Sequence, residues 1–163
     1  MSATVDRQAV GAPPPWWLPG GNLQTIWPSL CASRPAVALQ RERWATPDGD
    51  FIDVDHAEHP TPPDAPQLVL FHGLEGSSSS QYAQAFADWA AAAGVCLSVP
   101  HFRGCAGEPN RLPRAYHSGD HEEIAAMLAA VRARAPAAAA IHAVGVSLGG
   151  SALLNWLGRE GGD

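Results

Sequence analysis

The sequence predicts an α/β domain built on a doubly wound, mostly parallel sheet. Short apolar runs at Gln67–Phe71, Val95–Val99 and Ile141–Val146 have the length and composition of buried parallel strands. Each is followed by a segment whose apolar residues recur at helical spacing. Strand–helix alternation requires crossover connections, which set parallel strands side by side and helices on the faces.

The elements follow in order. Residues 1–21 are rich in proline and glycine, with Pro13-Pro14-Pro15 ahead of Trp16-Trp17, and predict no regular structure. Residues 1–38 read as an N-terminal segment that packs on a domain spanning 39–163. Leu39–Thr46 and Phe51–His56 read as two strands around the turn Pro47-Asp48-Gly49. Four prolines make residues 59–66 a loop. Over Ser80–Ala93, Tyr82, Phe86, Trp89 and Ala93 fall on one helical face, which Gly94 ends. His101–Gly119 is a long polar loop. Asp120 and Glu123 form a capping-box pattern, and Ile124, Met127, Leu128 and Val131 supply an inward face until Pro136. Leu148–Leu157 predicts a last helix with Ala152, Leu153, Trp156 and Leu157 inward.

Composition narrows the function. A 163-residue chain with 46% hydrophobic content can form one domain with a real core. A net charge of −6 without a block of like charges argues against nucleic-acid binding. Cys31, Cys96 and Cys105 form no C-x-x-C pair, which suits a reducing compartment better than a disulfide or zinc framework. No signal-peptide layout and no membrane span is legible, so a cytoplasmic protein is expected.

The segment that carries chemistry is Gly145-Val146-Ser147-Leu148-Gly149. A G-x-S-x-G string arises by chance in roughly one such chain in ten, so its context decides. Here it joins an apolar strand to an amphipathic helix, the setting a nucleophile elbow needs. Gly145 and Gly149 relieve crowding in a tight turn, and Ser147 is raised at the positive end of the helix. The Leu148 N–H can then bind a developing oxyanion. A plain helix-capping serine is the alternative. A second oxyanion donor is expected from the loop after an earlier strand. His72-Gly73-Leu74-Glu75-Gly76 follows Phe71, with Gly73 allowing close approach and Leu74 N–H as the donor. His72 precedes the serine, so it is expected to pack or hydrogen-bond beneath the loop rather than act as base.

These residues resemble the YheT-like branch of the α/β-hydrolase superfamily, a group of esterases and lipase-like proteins. The matching strings are Gly21-Asn22-Leu23-Gln24-Thr25-Ile26, Phe71-His72-Gly73-Leu74-Glu75-Gly76-Ser77, Phe102-Arg103-Gly104-Cys105, Glu108-Pro109-Asn110-Arg111, Tyr116-His117-Ser118-Gly119 and the Ser147 elbow. Asn22, His101 and Ser151 depart from the branch's pattern at loop positions. The resemblance implies an α/β-hydrolase-type sheet and hydrolysis of carboxylic esters through an acyl-enzyme on Ser147. It also implies no cofactor or metal and a small-molecule substrate, a short-chain acyl ester or an acylglycerol. In that branch the acid and the histidine follow the serine. After Ser147 this sequence holds no histidine, and its only acids are Glu160 and Asp163. The sequence therefore reads as the N-terminal half of such a domain, truncated after the elbow helix and weakly active or inactive alone. The alternative is a non-catalytic fragment or pseudoenzyme acting by binding or association. Self-association is expected along an exposed edge at Ile141–Val146.

Other groupings have ordinary readings. His117 and His121 stand four apart around a helix start and read as cap and loop residues rather than metal ligands. His56 and His59 read as surface residues, and His142 as a buried strand histidine. Arg103, Arg111 and Arg114 read as ion-pair partners within the fold, with steering of an anionic substrate as the alternative. Trp16, Trp17 and Trp27 read as packing residues, with peripheral lipid contact as the alternative.

Overall fold

The computed structural model describes residues 15–31 and 37–160. The chain divides into two units, residues 1–33 and 34–163. The first contains a helix that the sequence reading did not assign, α1 (Gly21–Cys31). Gly20, Gly21 and Pro28 conceal it in the sequence. Its first turn is closed by Gln24, whose backbone N–H reaches the Gly20 carbonyl at 3.2 Å and whose side-chain amide reaches the Leu18 carbonyl at 3.1 Å. Trp16, Trp17 and Trp27 are all exposed rather than packed as expected, and Trp17 and Trp27 meet each other edge to face at 5.7 Å. Pro13 and Pro14 lie outside the described residues.

The second unit runs β1 (Leu39–Ala45), β2 (Phe51–Ala57), β3 (Gln67–Phe71), α2 (Gln81–Ala93), β4 (Cys96–Pro100), α3 (His121–Arg134), β5 (Ile141–Gly145) and α4 (Leu148–Glu160). The strands form one sheet in the order β1-β2-β4-β3-β5. β1 and β2 make an antiparallel hairpin, β2 runs antiparallel to β4, and β3 is parallel to both β4 and β5. Four of the five strands thus share one direction, and the doubly wound, mostly parallel sheet is present.

Alternation along β3 divides the core between the two faces. Val69 and Phe71 join Trp44, Val54, Ile124, Met127 and Ala152 under α3 and α4. Leu68 and Leu70 join Leu97, Val99 and the alanines of α2 on the other face. Among the described residues no helix is long and apolar enough to cross a membrane.

Local chemistry departs from the sequence reading at four places. α2 buries Ala83, Ala87 and Ala90, because small side chains let it lie close on the sheet; the Tyr82–Phe86–Trp89 stripe faces sideways and Trp89 is exposed. The capping box on α3 does not form. Asp120 Oδ1 instead accepts from Arg114 at 2.6 Å and Glu123 Oε1 from Arg103 at 2.7 Å, since charged partners outcompete backbone N–H groups. On α4, Ala152 is buried as expected but Leu157 is exposed. His142 is exposed rather than buried, because β5 ends the sheet.

Candidate active site

Val146 and Ser147 are the two residues between β5 and α4, and Ser147, directly before the first residue of the helix, is exposed. Its φ is +52°, a left-handed conformation that costs a non-glycine residue about 1–3 kcal/mol and persists where the surroundings impose it. Those surroundings are close backbone crossings. A Cβ on Gly149 would stand 2.5 Å from the Phe71 carbonyl oxygen, and one on Gly145 would stand 2.5 Å from the Gly150 Cα. Both glycines are therefore required where α4 turns back across the ends of β3 and β5. The Val146 N–H bonds to Phe71 O at 2.9 Å, and the Gly149 N–H bonds to Val146 O at 3.0 Å. These bonds hold the turn.

The His72–Gly76 loop leaves β3 beside this turn. A Cβ on Gly73 would stand 3.5 Å from the Ser147 Cβ. Among the described residues neither the Leu74 N–H nor the Leu148 N–H has a hydrogen-bond acceptor. Ser147, Leu74 and Leu148, which the sequence nominated as nucleophile and oxyanion donors, thus belong to two adjacent turns at one end of the sheet.

His72 is fully buried beneath the loop. Its Nδ1 lies 2.7 Å from the Gly73 carbonyl and carries the proton, while Nε2 accepts the Phe102 N–H at 3.0 Å. Burial lowers its pKa to about 4; the bond to Gly73 opposes this, and His101, 5.7 Å away ring to ring, adds to it. His72 is a neutral strut between the ends of β3 and β4. None of the seven histidines is hydrogen-bonded to Ser147 among the described residues. His56 is half-buried on Ser98 Oγ at 2.9 Å rather than fully on the surface, and His59 bonds weakly to the Pro60 carbonyl. His117 and His121 engage the Gly119 backbone.

The network behind the loop was not legible in the sequence. Asp55 accepts from Arg41 through both Nε at 2.7 Å and Nη2 at 2.8 Å, from Ser78 Oγ at 2.5 Å and from His101 Nε2 at 2.9 Å. Burial would raise the Asp55 pKa, but these bonds outweigh it and hold the carboxyl well below its ordinary range. One carboxylate of β2 thereby ties down the far end of the loop through Ser78 and the turn after β4 through His101. The expected ion pairing is present for two of the three arginines, Arg103 with Asp50, Asp48 and Glu123 and Arg114 with Asp120, whereas Arg111 has no ion pair among the described residues. Arg111 bonds to the Gly49 carbonyl and lies near the Phe51 ring.

Comparison with known proteins follows the same line. Residues 66–161 match the family model described as the alpha/beta hydrolase fold. The chain belongs to that hydrolase family. It is 42% identical over 146 residues to the Escherichia coli (strain K12) protein named "Putative esterase YheT", across 87% of this chain and 42% of the relative. This relationship carries the YheT-like resemblance read from the sequence. The human "Phospholipase ABHD3" is 32% identical across 91% of this chain and 37% of its own length. The chain thus spans about two-fifths of the length of these hydrolase relatives. Among solved structures, the Pyrococcus furiosus esterase Pf2001 superposes with a TM-score of 0.60 at 15% identity, covering 77% of this chain and 48% of that one. An alpha-beta serine hydrolase homologue from Coxiella burnetii gives 0.60 at 15%, covering 74% and 58%. At these identities the structures speak for the fold alone.

Proposed function

We propose that this chain carries the nucleophile and both oxyanion donors of a serine hydrolase that cleaves carboxylic esters, with short-chain acyl esters or acylglycerols as substrates. The supporting observation is the left-handed Ser147 between β5 and α4, beside two unengaged N–H groups, Leu74 and Leu148. The Ser147 Oγ attacks the acyl carbonyl while a histidine base takes its proton. The carbonyl oxygen becomes an oxyanion held by the two N–H groups. Collapse breaks the bond to the leaving alcohol, which receives the proton, and water then hydrolyses the acyl-serine.

The geometry also sets an expectation for residues 1–163 taken alone. No histidine is bonded to Ser147, and His72 is committed on both ring nitrogens. Oxyanion binding without the base leaves on the order of 10³–10⁴ over water. Turnover of p-nitrophenyl acetate by the 163-residue polypeptide is therefore expected to be slow and to fall further in Ser147→Ala. Equal turnover in both proteins would remove Ser147 from the chemistry. Fast turnover abolished by the substitution would show that these residues supply a base.

A second reading is binding or self-association without catalysis. It is favoured by β5, an edge strand of the sequence Ile141-His142-Ala143-Val144-Gly145 with no charge to discourage pairing.

A further inference from the structure

Of the five N–H groups from Gly73 to Ser77, one has no acceptor among the described residues, and two tyrosines outside the loop engage its neighbours. The Gly73 N–H donates to Tyr82 Oη at 3.0 Å, and the Glu75 N–H donates to Tyr116 Oη at 2.9 Å. The Gly76 N–H returns to Gly73 O at 3.0 Å, and the Ser77 N–H goes to Ser80 Oγ at 3.1 Å. Between the two phenols, the Leu74 N–H has no acceptor among the described residues.

Its direction is set as well as its freedom. The Gly73 carbonyl receives both His72 Nδ1–H at 2.7 Å and the Gly76 N–H, so it is drawn into the loop. In a planar trans peptide the N–H points opposite the carbonyl, which turns the Leu74 N–H outward. Glu75 sits at φ +51°, strained for a side-chain-bearing residue, and its own N–H is the group Tyr116 holds. Tyr116 is itself fixed by stacking on Phe102, with ring centroids 5.3 Å apart and planes at 11°. At Gly76 a Cβ would stand 2.6 Å from Tyr82 Oη, so the glycine makes room for the other phenol.

We propose that Tyr82 and Tyr116 are positioning residues: their hydroxyls take up the amides on either side of Leu74, so that of the loop's amides the Leu74 N–H is the one presented to an oxyanion on Ser147, alongside that of Leu148. This rests on the serine-hydrolase reading above. It makes the first turn of α2 and the long loop after β4 joint custodians of the oxyanion site.

The test uses the 163-residue chain, amide hydrogen exchange and phenylboronic acid, whose boron forms a tetrahedral anion on a serine oxygen. In the wild type, the Gly73 and Glu75 amides are expected to be protected and Leu74 to exchange freely. Tyr116→Phe should speed Glu75 exchange by roughly five- to tenfold, and Tyr82→Phe should do the same at Gly73. Amides of β3 should stay within about twofold in both, since a general loss of structure would move them together. Each variant should weaken phenylboronate binding by a similar factor and diminish the chemical-shift change it causes at Leu74. Unchanged protection in the phenylalanine variants, or unchanged boronate affinity where the wild type binds, overturns the clamp. If the wild type does not bind phenylboronate, or Ser147→Ala binds it equally, the nucleophile reading fails, and the exchange rates alone then decide the clamp.

Discussion

At the β1–β2 end of the sheet, charge closes the structure; at the β5 end, apolar surface is left open. β1 reads Leu-Gln-Arg-Glu-Arg-Trp-Ala, and its arginines pair with buried carboxylates of β2, Arg41 with Asp55 and Arg43 with Asp53. Arg43 also lies 3.7 Å over the Phe51 ring, and Arg134 lies 4.2 Å over Trp44. β5 carries no charge, and among the described residues no strand pairs with its outer edge. Leu154 and Leu157 of α4 are exposed on one side of it, and Trp89 of α2 on the other. Leu68, Phe86, Trp89 and Val144 line a shallow, nearly wholly apolar cavity of about 430 Å³. A charged edge discourages strand addition, whereas an apolar edge flanked by apolar helices invites it. The candidate nucleophile stands at the open end, and the network that braces the His72–Gly76 loop beside it is rooted in the closed one.

The largest expected effect breaks the closed end. Arg103 is buried between Asp50 and Glu123, so Arg103→Met leaves two buried carboxylates without a counter-charge. A loss of about 3–5 kcal/mol is expected in urea unfolding. Leu154→Gln at the open end, where the side chain is 71% exposed, should change stability by no more than about 0.5 kcal/mol. Equal losses would erase the contrast.

The next effect is in pH. The folded state holds His72 neutral down to about pH 4, whereas in the unfolded chain it titrates near 6.5. The unfolded state therefore binds the extra proton between these values. This contribution to stability is complete above pH 6.5 and is lost as pH falls toward 4, by about 3 kcal/mol in all. Stability measured across that window should fall less steeply in His72→Gln. Identical slopes would mean that the strut between β3 and β4 does not depend on a neutral imidazole.

Glycine substitutions in α4 separate crowding from helix propensity. Gly149→Ala forces a methyl group against the Phe71 carbonyl and should cost about 1–3 kcal/mol. Gly158→Ala meets nothing within 4 Å and should stabilise by about 0.5–1 kcal/mol. Thermal unfolding of the two variants checks the opposite signs.

The smallest effect on stability tests the open edge directly. If β5 pairs between copies, the average mass in sedimentation velocity should rise with concentration, and Ala143→Lys should suppress the rise with a stability change within about 0.5 kcal/mol. A wild-type chain that stays monomeric throughout would show that apolar flanks alone do not make this edge associate.

Much of this was legible before the structure. Gln67–Phe71 announces a parallel strand because residues buried on both faces leave no polar alternation; Ile141–Gly145 has the same apolar composition, although His142 and Ala143 are exposed at the edge of the sheet. The turn at Ser147 was legible because only glycine fits where two backbones cross, and the crossing leaves Gly145 and Gly149 in the string. Side-chain partners across the fold were not. Asp120 and Glu123 carry a local capping pattern, yet Arg114 and Arg103 claim them from a loop whose path no local pattern encodes. The aromatic stripe of α2 announces an inward face, but the closeness of the sheet favours Ala83, Ala87 and Ala90. Tyr82 and Tyr116 give no sequence signal of their roles, since a phenol that accepts a backbone N–H is set only by where the loop arrives.

The sequence by itself determined the element order from β1 onward, the parallel core of the sheet and the strand–turn–helix around Ser147. Those depend on periodicity and on steric exclusion at glycine, which act over a few neighbouring residues. Only the tertiary structure decided which carboxylate meets which arginine and which tyrosine hydroxyls take up the amides on either side of Leu74. Such choices are made by groups distant in sequence competing for the same partner, and only the folded chain brings them within reach.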